Sequence, residues 1–416
     1  MKDQQSDQRP IARVGVIGAG RRGALYFNAI PDDVDVRIVA IADPDVSGSQ
    51  AFAERFAAGQ DVSYYQDGLE MLANEELDAV IVASPNAEHV PYAVESMSQS
   101  LTLMLEKPVA TTVDDLAALW RAYEASEAGH TLVGFVLRYT PFYSAVREVV
   151  RSGRLGEILS IEASENINTR LSLTQHRGWR HDTAKSGGWM VEKCCHDFDV
   201  LGYLIDSKPS RIYSMASAKH FRPRPDEEQL ARFQPDPETD HVEPDNPESD
   251  VAQHSPYSPS NLPDRQIATL EFENGTLATF TAVMAQPKTT RRLRIFGTEG
   301  LLEGDIRSDR IILSFPDPAG SAEYSVEEIP VDPGSPQNHY GGDAVLGDAF
   351  WHLAAGVEGA TPLRAGLRDG IDGVLAAIAL QQSASTGQPV EMDDLRREVF
   401  GDLAGDSRAP RAAQTA

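Results

Sequence analysis

Three glycines at a fixed spacing leave the first third of this chain very few folds to adopt. Gly18, Gly20 and Gly23 follow the apolar run Val14–Ile17 directly and lead into a helical stretch at Ala24–Ala29. In that place they have separate tasks: a tight turn, close approach of the backbone to a pyrophosphate, and close packing of helix on strand. The free N–H groups of the helix start, at the positive end of its dipole, suit phosphate. Asp43 ends the second apolar run twenty residues after Gly23. A carboxylate there accepts from the adenosine ribose hydroxyls and repels a 2′-phosphate. The reading is a nicotinamide dinucleotide, NAD in preference to NADP. Arg21 and Arg22 sit within the loop, and Arg22 pulls towards NADP, because an arginine near that ribose pairs with the phosphate. The plainer alternative is a glycine turn in an α/β protein that binds no dinucleotide.

The surrounding pattern supports the first reading. Apolar runs at Val14–Ile17, Val36–Ala42, Ala79–Ala83, Leu101–Leu105 and Leu132–Val136 lack period-two alternation, as buried parallel strands do. Helical stretches such as Ala51–Ala57, Glu88–Met97 and Asp114–Ala125 lie between them. This predicts a doubly wound Rossmann domain over residues 11–136. Beyond it, strands at Ile158–Ala163, Arg211–Ala218, Gln266–Glu273, Thr276–Met284 and Leu293–Phe296 are read around a helix at Gly187–Leu204. Asn274-Gly275 signals a type I′ hairpin. With closing helices at Ala344–Ala355 and Leu367–Ser383, residues 137–400 read as an α+β domain with one large, open, mostly antiparallel sheet. Residues 221–264, acidic and rich in proline, read as a long exposed insert, and the tail from Ser407 as frayed.

Composition excludes several partners. The net charge of −26 argues against nucleic acid, which needs clustered Lys and Arg. Lysine is scarce, seven against thirty arginines, a bias that suits high salt and that a GC-rich genome also produces. No apolar run is long enough to span a membrane, and Met1–Pro10 carries no apolar signal core, so a cytoplasmic protein is expected. The only cysteines, Cys194 and Cys195, are adjacent and read as small packing groups. No His-x-x-x-His or Cys-x-x-Cys spacing occurs, so no metal site is expected.

Further motifs carry a family resemblance. They are Asp78 to Asn86 with His89, Glu106-Lys107-Pro108, Trp179-Arg180, Ser186-Gly187-Gly188, the helix through His196 and Asp199, Gly297 to Gly300, and His339–Asp343. In order and spacing they resemble the glucose–fructose oxidoreductase / inositol dehydrogenase (Gfo/Idh/MocA) family over about Arg13 to Met392. The resemblance implies that Ser84, Pro85, Asn86 and His89 lie along the cofactor. It implies that Glu106 and Lys107 stand beside the nicotinamide, with Trp179 and Arg180 approaching from the second domain. It also implies a cis peptide before Pro108, and a second-domain sheet that often forms the oligomer contact, here a homodimer or homotetramer.

Lys107 ends a strand of the first domain, where ligands gather in open α/β sheets, and can stabilise charge on a substrate oxygen becoming a carbonyl. The plainer alternative is a solvated strand-end lysine. His196 suits proton transfer near neutral pH, and Glu192 four residues before it shares its face in a regular helix, where a carboxylate can orient the ring. The family commonly has Asp at the Glu192 position, so this chain departs from its pattern there. Lys193 can touch substrate or pair with Glu192, but helix periodicity points it sideways, which favours a structural role; Asp199 reads as a brace. Arg138-Tyr139 suits the cleft and hinge packing equally.

The leading expectation is an NAD-dependent oxidoreductase of a sugar, inositol or related polyol, with Lys107, His196 and Glu192 as catalytic set. One alternative keeps the cofactor but runs glycoside cleavage or epimerisation without net redox. The other is a non-catalytic dinucleotide sensor.

Overall fold

A computed structural model describes residues 11–28, 30–126, 130–176, 178–220, 262–317, 319–321, 323–357 and 363–401. The N-terminal ten residues, almost all of the acidic insert and the tail from Ser407 lie outside them. The first sheet contains β1 (Ile11–Ile17), β2 (Asp35–Ala42), β3 (Ser63–Tyr65), β4 (Ala79–Val82), β5 (Thr102–Leu105) and β6 (Thr131–Val133). Its order is β3-β2-β1-β4-β5-β6, all parallel. Every residue of β4 and β5 is buried, as expected of strands covered on both faces. The short β3, mostly exposed, has no continuous apolar run to announce it. The order reverses between β1 and β4, so the crevice for a ligand opens at their carboxyl ends.

The second sheet has nine strands: β7 (Ile158–Asn168), β8 (Pro209–Ser217), β9 (Arg265–Phe272), β10 (Leu277–Gln286), β11 (Thr290–Gly297), β12 (Leu301–Asp305), β13 (Arg310–Pro316), β14 (Tyr324–Pro330) and β15 (Val390–Glu391). It is antiparallel except where β7 inserts beside β10 in parallel. The helices Cys195–Ile205 and Leu367–Thr386 cover one face, through buried residues such as Leu201 and Leu380. The opposite face leaves Met215, Ile267 and Leu277 each more than half exposed.

Two local expectations change. The β9–β10 hairpin has a three-residue loop in which Gly275 alone takes a positive φ, +85°. Asn274 does not adopt the left-handed conformation a type I′ turn requires, so the turn is a type I with a glycine bulge. The helix after Gly188 opens with a π turn, Met190–Cys194, before the α-helix Cys195–Ile205.

The chain also returns to its beginning. The helix Gly342–Ala354 packs Leu346, Phe350 and Trp351 into the core formed by Val14, Tyr26 and Phe27. Trp351 Nε1 donates to the Tyr26 carbonyl at 2.9 Å. Among the described residues no helix is long and apolar enough to cross a membrane.

Candidate active site

The glycine loop leads from β1 into the helix Arg21–Phe27 and packs against the chain just after β4. Gly18 has φ +91°, and a Cβ there would stand 2.6 Å from the Ala83 carbonyl oxygen and 2.7 Å from the Ser84 nitrogen. A Cβ on Gly23 would stand 2.8 Å from the Gly18 oxygen. These contacts require glycine at both positions. Gly20 precedes the helix Arg21–Phe27, whose exposed first residue is Arg21. Asp43 is held to the loop by the Ala19 N–H, which donates to Oδ2 at 2.9 Å, and by the Asp45 N–H, which donates to Oδ1 at 2.8 Å. At the end of β4 the Ser84 hydroxyl is buried without a protein partner. A bare backbone loop, a braced carboxylate and an unsatisfied hydroxyl around one crevice fit a dinucleotide.

Several residues expected to touch the cofactor are engaged otherwise. Arg22 does not reach towards the Asp43 ribose position. Its guanidinium donates to Glu106 Oε1 (2.8 Å from Nε) and to Asp343 Oδ1 (3.0 Å). Glu106, 4% exposed in its side chain, also accepts from the Tyr26 hydroxyl. Burial opposes charge on Glu106, yet Arg22 and Tyr26 hold its carboxyl below the usual range. Arg22 therefore no longer weighs against NAD. His89 is buried with its ring nitrogens 2.8 Å from the carbonyl oxygens of Pro108 and Ser84, so it braces the strand ends. Asn86 is buried and donates to the Ser186 carbonyl at 2.9 Å, tying β4 to the second domain. Pro85, just before Asn86, is half-buried.

Lys107 leaves the end of β5 through a cis peptide to Pro108. Its Nζ donates to the Glu192 carbonyl oxygen at 2.7 Å, which brings the strand end against the π turn. His196 lies one residue into the following α-helix and packs on Phe135, ring centroids 5.7 Å apart. Its Nδ1 is buried with no hydrogen-bond partner. Burial, with the positive charges of Lys107 and Arg291, pushes its pKa well below the ordinary value, so the ring is neutral at pH 7.

Glu192 does not orient His196. In the π turn the four-residue spacing no longer stacks side chains, because its hydrogen bonds run i to i+5. The Glu192 carboxylate turns to Arg180, 3.4 Å away, and its Oε2 is buried without a partner. Burial opposes its charge, but Lys107, Arg180 and Lys193 hold its carboxyl below the ordinary range. Arg180 stacks on Trp179, 4.5 Å from the ring centroid. Lys193 does not pair with Glu192; its nearest carboxylate oxygen is Glu165 Oε1 at 4.0 Å.

Other participants were not singled out from sequence. Arg291 on β11 stands opposite Glu165 on β7, its Nε 2.7 Å from Glu165 Oε2 and 3.0 Å from Asp197 Oδ1. His339 Nδ1 lies 2.7 Å from Asp343 Oδ2, a pair that the motif likeness included without a role. Asp199 is a brace: Arg138 grips both its oxygens, at 2.9 and 2.6 Å, and reaches Asp369. Arg138 and Tyr139 are thus buried hinge packing. Burial pushes the Cys195 thiol up to about 12 and raises that of Cys194 well above its ordinary value, as suits packing groups.

Comparison with known proteins agrees with this architecture. Residues 12–134 match the model of an oxidoreductase family with an NAD-binding Rossmann fold, and residues 143–303 match the GFO/IDH/MocA C-terminal domain. The oxidoreductase YrbE of Bacillus subtilis is 24% identical over 397 residues, covering 93% of this chain and 98% of that protein. Inositol 2-dehydrogenase of Rubrobacter xylanophilus is 30% identical over 218 residues, 50% of this chain and 56% of that protein. Among solved structures, a levoglucosan dehydrogenase complexed with NADH and L-sorbose superposes with a TM-score of 0.70 at 19% identity, over 92% of this chain and 99% of that one.

Proposed function

Because the chain belongs to the Gfo/Idh/MocA family of NAD-binding oxidoreductases, we propose that it oxidises a hydroxyl of a sugar, inositol or related polyol. The observation that carries this reading is the meeting of Lys107 and the His196 helix at the carboxyl end of β5, beside the dinucleotide crevice. NAD, when bound, supplies the hydride acceptor. Gly18, Gly20 and Gly23 would hold its pyrophosphate and Asp43 its ribose, with Ser84 along the edge.

Neutral His196 takes the hydroxyl proton at Nε2. Lys107 donates to the same oxygen and stabilises the negative charge that develops there. Glu192 anchors Lys107 through its backbone carbonyl and Arg180 through its carboxylate, acting as a positioning residue. Residues 11–136 are the cofactor domain in this reading and 137–400 the substrate domain. The exposed apolar face of the second sheet supports a homodimer or homotetramer, which light scattering would test; a cytoplasmic location belongs to the same reading.

The test of function is a panel of sugars and inositols offered with NAD, following reduced cofactor by absorbance. Oxidation of at least one, lost in Lys107→Ala and His196→Ala, is the expected result. Silence across the panel with cofactor bound sinks the proposal, and a glycoside consumed without net reduced cofactor favours the alternative without net redox.

A further inference from the structure

We propose that His339, oriented by Asp343, is a specificity-determining residue whose Nε2 accepts a hydrogen bond from a second hydroxyl of the polyol. The proposal rests on the oxidoreductase reading above and adds a requirement on its substrate, a hydroxyl beyond the one oxidised.

The oxidation described above makes no use of His339, yet a chain of polar contacts ties its ring to the reacting end of the crevice. Nδ1 lies 2.7 Å from Asp343 Oδ2 and 3.2 Å from Arg22 Nη1. Arg22 donates to Glu106 Oε1, and Glu106 Oε2 accepts from the backbone N–H of Lys107 at 3.1 Å. The ring therefore stands where the glycine-loop helix, the end of β5 and the helix Gly342–Ala354 meet. The side chains of Asp343 and Glu106 are 3% and 4% exposed, whereas that of His339 is 33% exposed. It is the most open member of this network.

The pairing fixes which ring nitrogen carries the proton. Burial opposes charge on Asp343, yet Arg22 and His339 hold its carboxyl down to about 2, so it is ionised and only accepts. Nδ1 is then the donor to Oδ2, and Arg22 gives its own hydrogen to Oδ1, 3.0 Å away. Burial lowers the pKa of the His339 ring more than Asp343 raises it, so the ring is neutral at pH 7. A neutral ring protonated at Nδ1 carries a lone pair at Nε2, an acceptor with a fixed direction.

The backbone is bent to hold this arrangement. His339 and Tyr340 take φ of +45° and +56°, ahead of Gly341 at +85°. Left-handed backbone is unfavourable for non-glycine residues and persists only where the surroundings impose it, most often at functional sites. Here the Tyr340 N–H donates to the Ser335 carbonyl at 2.8 Å, and its hydroxyl accepts from Arg307 at 3.3 Å. Lys107 and His196 act on the oxygen that becomes a carbonyl, so the other hydroxyls of a polyol fall to other groups. A site that accepts from a hydroxyl rejects the analogue lacking it, because its own polar atom is left without a partner.

The experiment uses full-length protein and NAD with two probes, D-glucose and myo-inositol, and the mono-deoxy analogues of each. The wild type is expected to favour a parent over one of its analogues by about 10- to 100-fold in kcat/KM, mainly through KM. In His339→Phe that one preference collapses, while the preferences at other positions and the Kd for NADH stay as they were. His339→Gln keeps an acceptor oxygen and an N–H for Asp343, and should restore part of it. Preferences that are the same in wild type and His339→Phe at every position, or a matching loss of NADH affinity, overturn the assignment and leave the oxidoreductase reading standing. The same pattern in calorimetric binding to the NADH-saturated protein, with no probe turned over, supports the hydroxyl contact and counts against the dehydrogenase reading. Binding of neither probe nor any analogue counts against both.

Discussion

The seat for the dinucleotide and the cleft around His196 are made in different ways. Gly18, Gly20 and Gly23 fall within six residues, and Asp43 reaches back to the same loop through the Ala19 N–H. The cleft instead gathers Lys107 from the end of β5, Glu192 and Lys193 from a π turn, Arg291 from β11, Glu165 from β7 and His339 from before the last long helices. Backbone geometry dominates in the first place and long-range charge pairing in the second. A local backbone device can be recognised from spacing, while a charge cluster exists only once distant strands are in register.

This contrast can be broken by experiment. His196→Ala should lower kcat by about 10²- to 10⁴-fold, the usual worth of a general base, with the Kd for NADH unchanged. A parallel loss of NADH affinity in a fluorescence titration would mean that the two places are one. Arg22→Met bridges them, since it leaves the buried Glu106 carboxylate without its cation. A destabilisation of about 3–5 kcal/mol is expected in urea unfolding. A change under 1 kcal/mol would show that Tyr26 alone suffices for Glu106.

Gly18→Ala tests the loop by itself. The left-handed φ alone costs about 1–3 kcal/mol in a non-glycine residue, and the contact with Ala83 adds to it. NADH affinity should fall with stability, while the pH dependence of turnover stays that of the wild type. The smallest effect at working pH comes from buried histidines. His176, pushed by burial down to about 4, binds its proton in the unfolded chain first. Its contribution to stability is therefore complete above the unfolded value near 6.5 and is lost as pH falls towards 4, with His196 acting in the same direction. A thermal midpoint rising on acidification from pH 7 to 5 would contradict this sign.

Much of the fold was legible in the chain. The apolar runs of β1, β2, β4 and β5 stand in the sequence because strands buried on both faces must be apolar throughout. β3 and the strands β12 to β14 escaped notice, being short or half-exposed and so without a continuous apolar signal. In the candidate site, motif order is what singles out Lys107 and His196. The partnership of Glu192 with His196 was not as expected, because a regular helix was assumed where a π turn occurs. His89 and Asn86 bond to backbone carbonyls rather than lying free along the crevice. Nothing in the spacing of Arg291 and Glu165, more than a hundred residues apart, announces that they face each other.

The sequence by itself determined that a dinucleotide-binding loop forms, because glycine spacing and a strand-ending acid act over a few residues of backbone. It also determined a preference for NAD, against which Arg22 weighs when the loop is read alone. Only the tertiary structure decided that Arg22 serves Glu106 and Asp343 instead, since those carboxylates come 84 and 321 residues further along the chain. Only it decided that the Glu192 carboxylate turns to Arg180 and not to His196. Which ions meet depends on register and on one π turn, and neither is written in a local pattern.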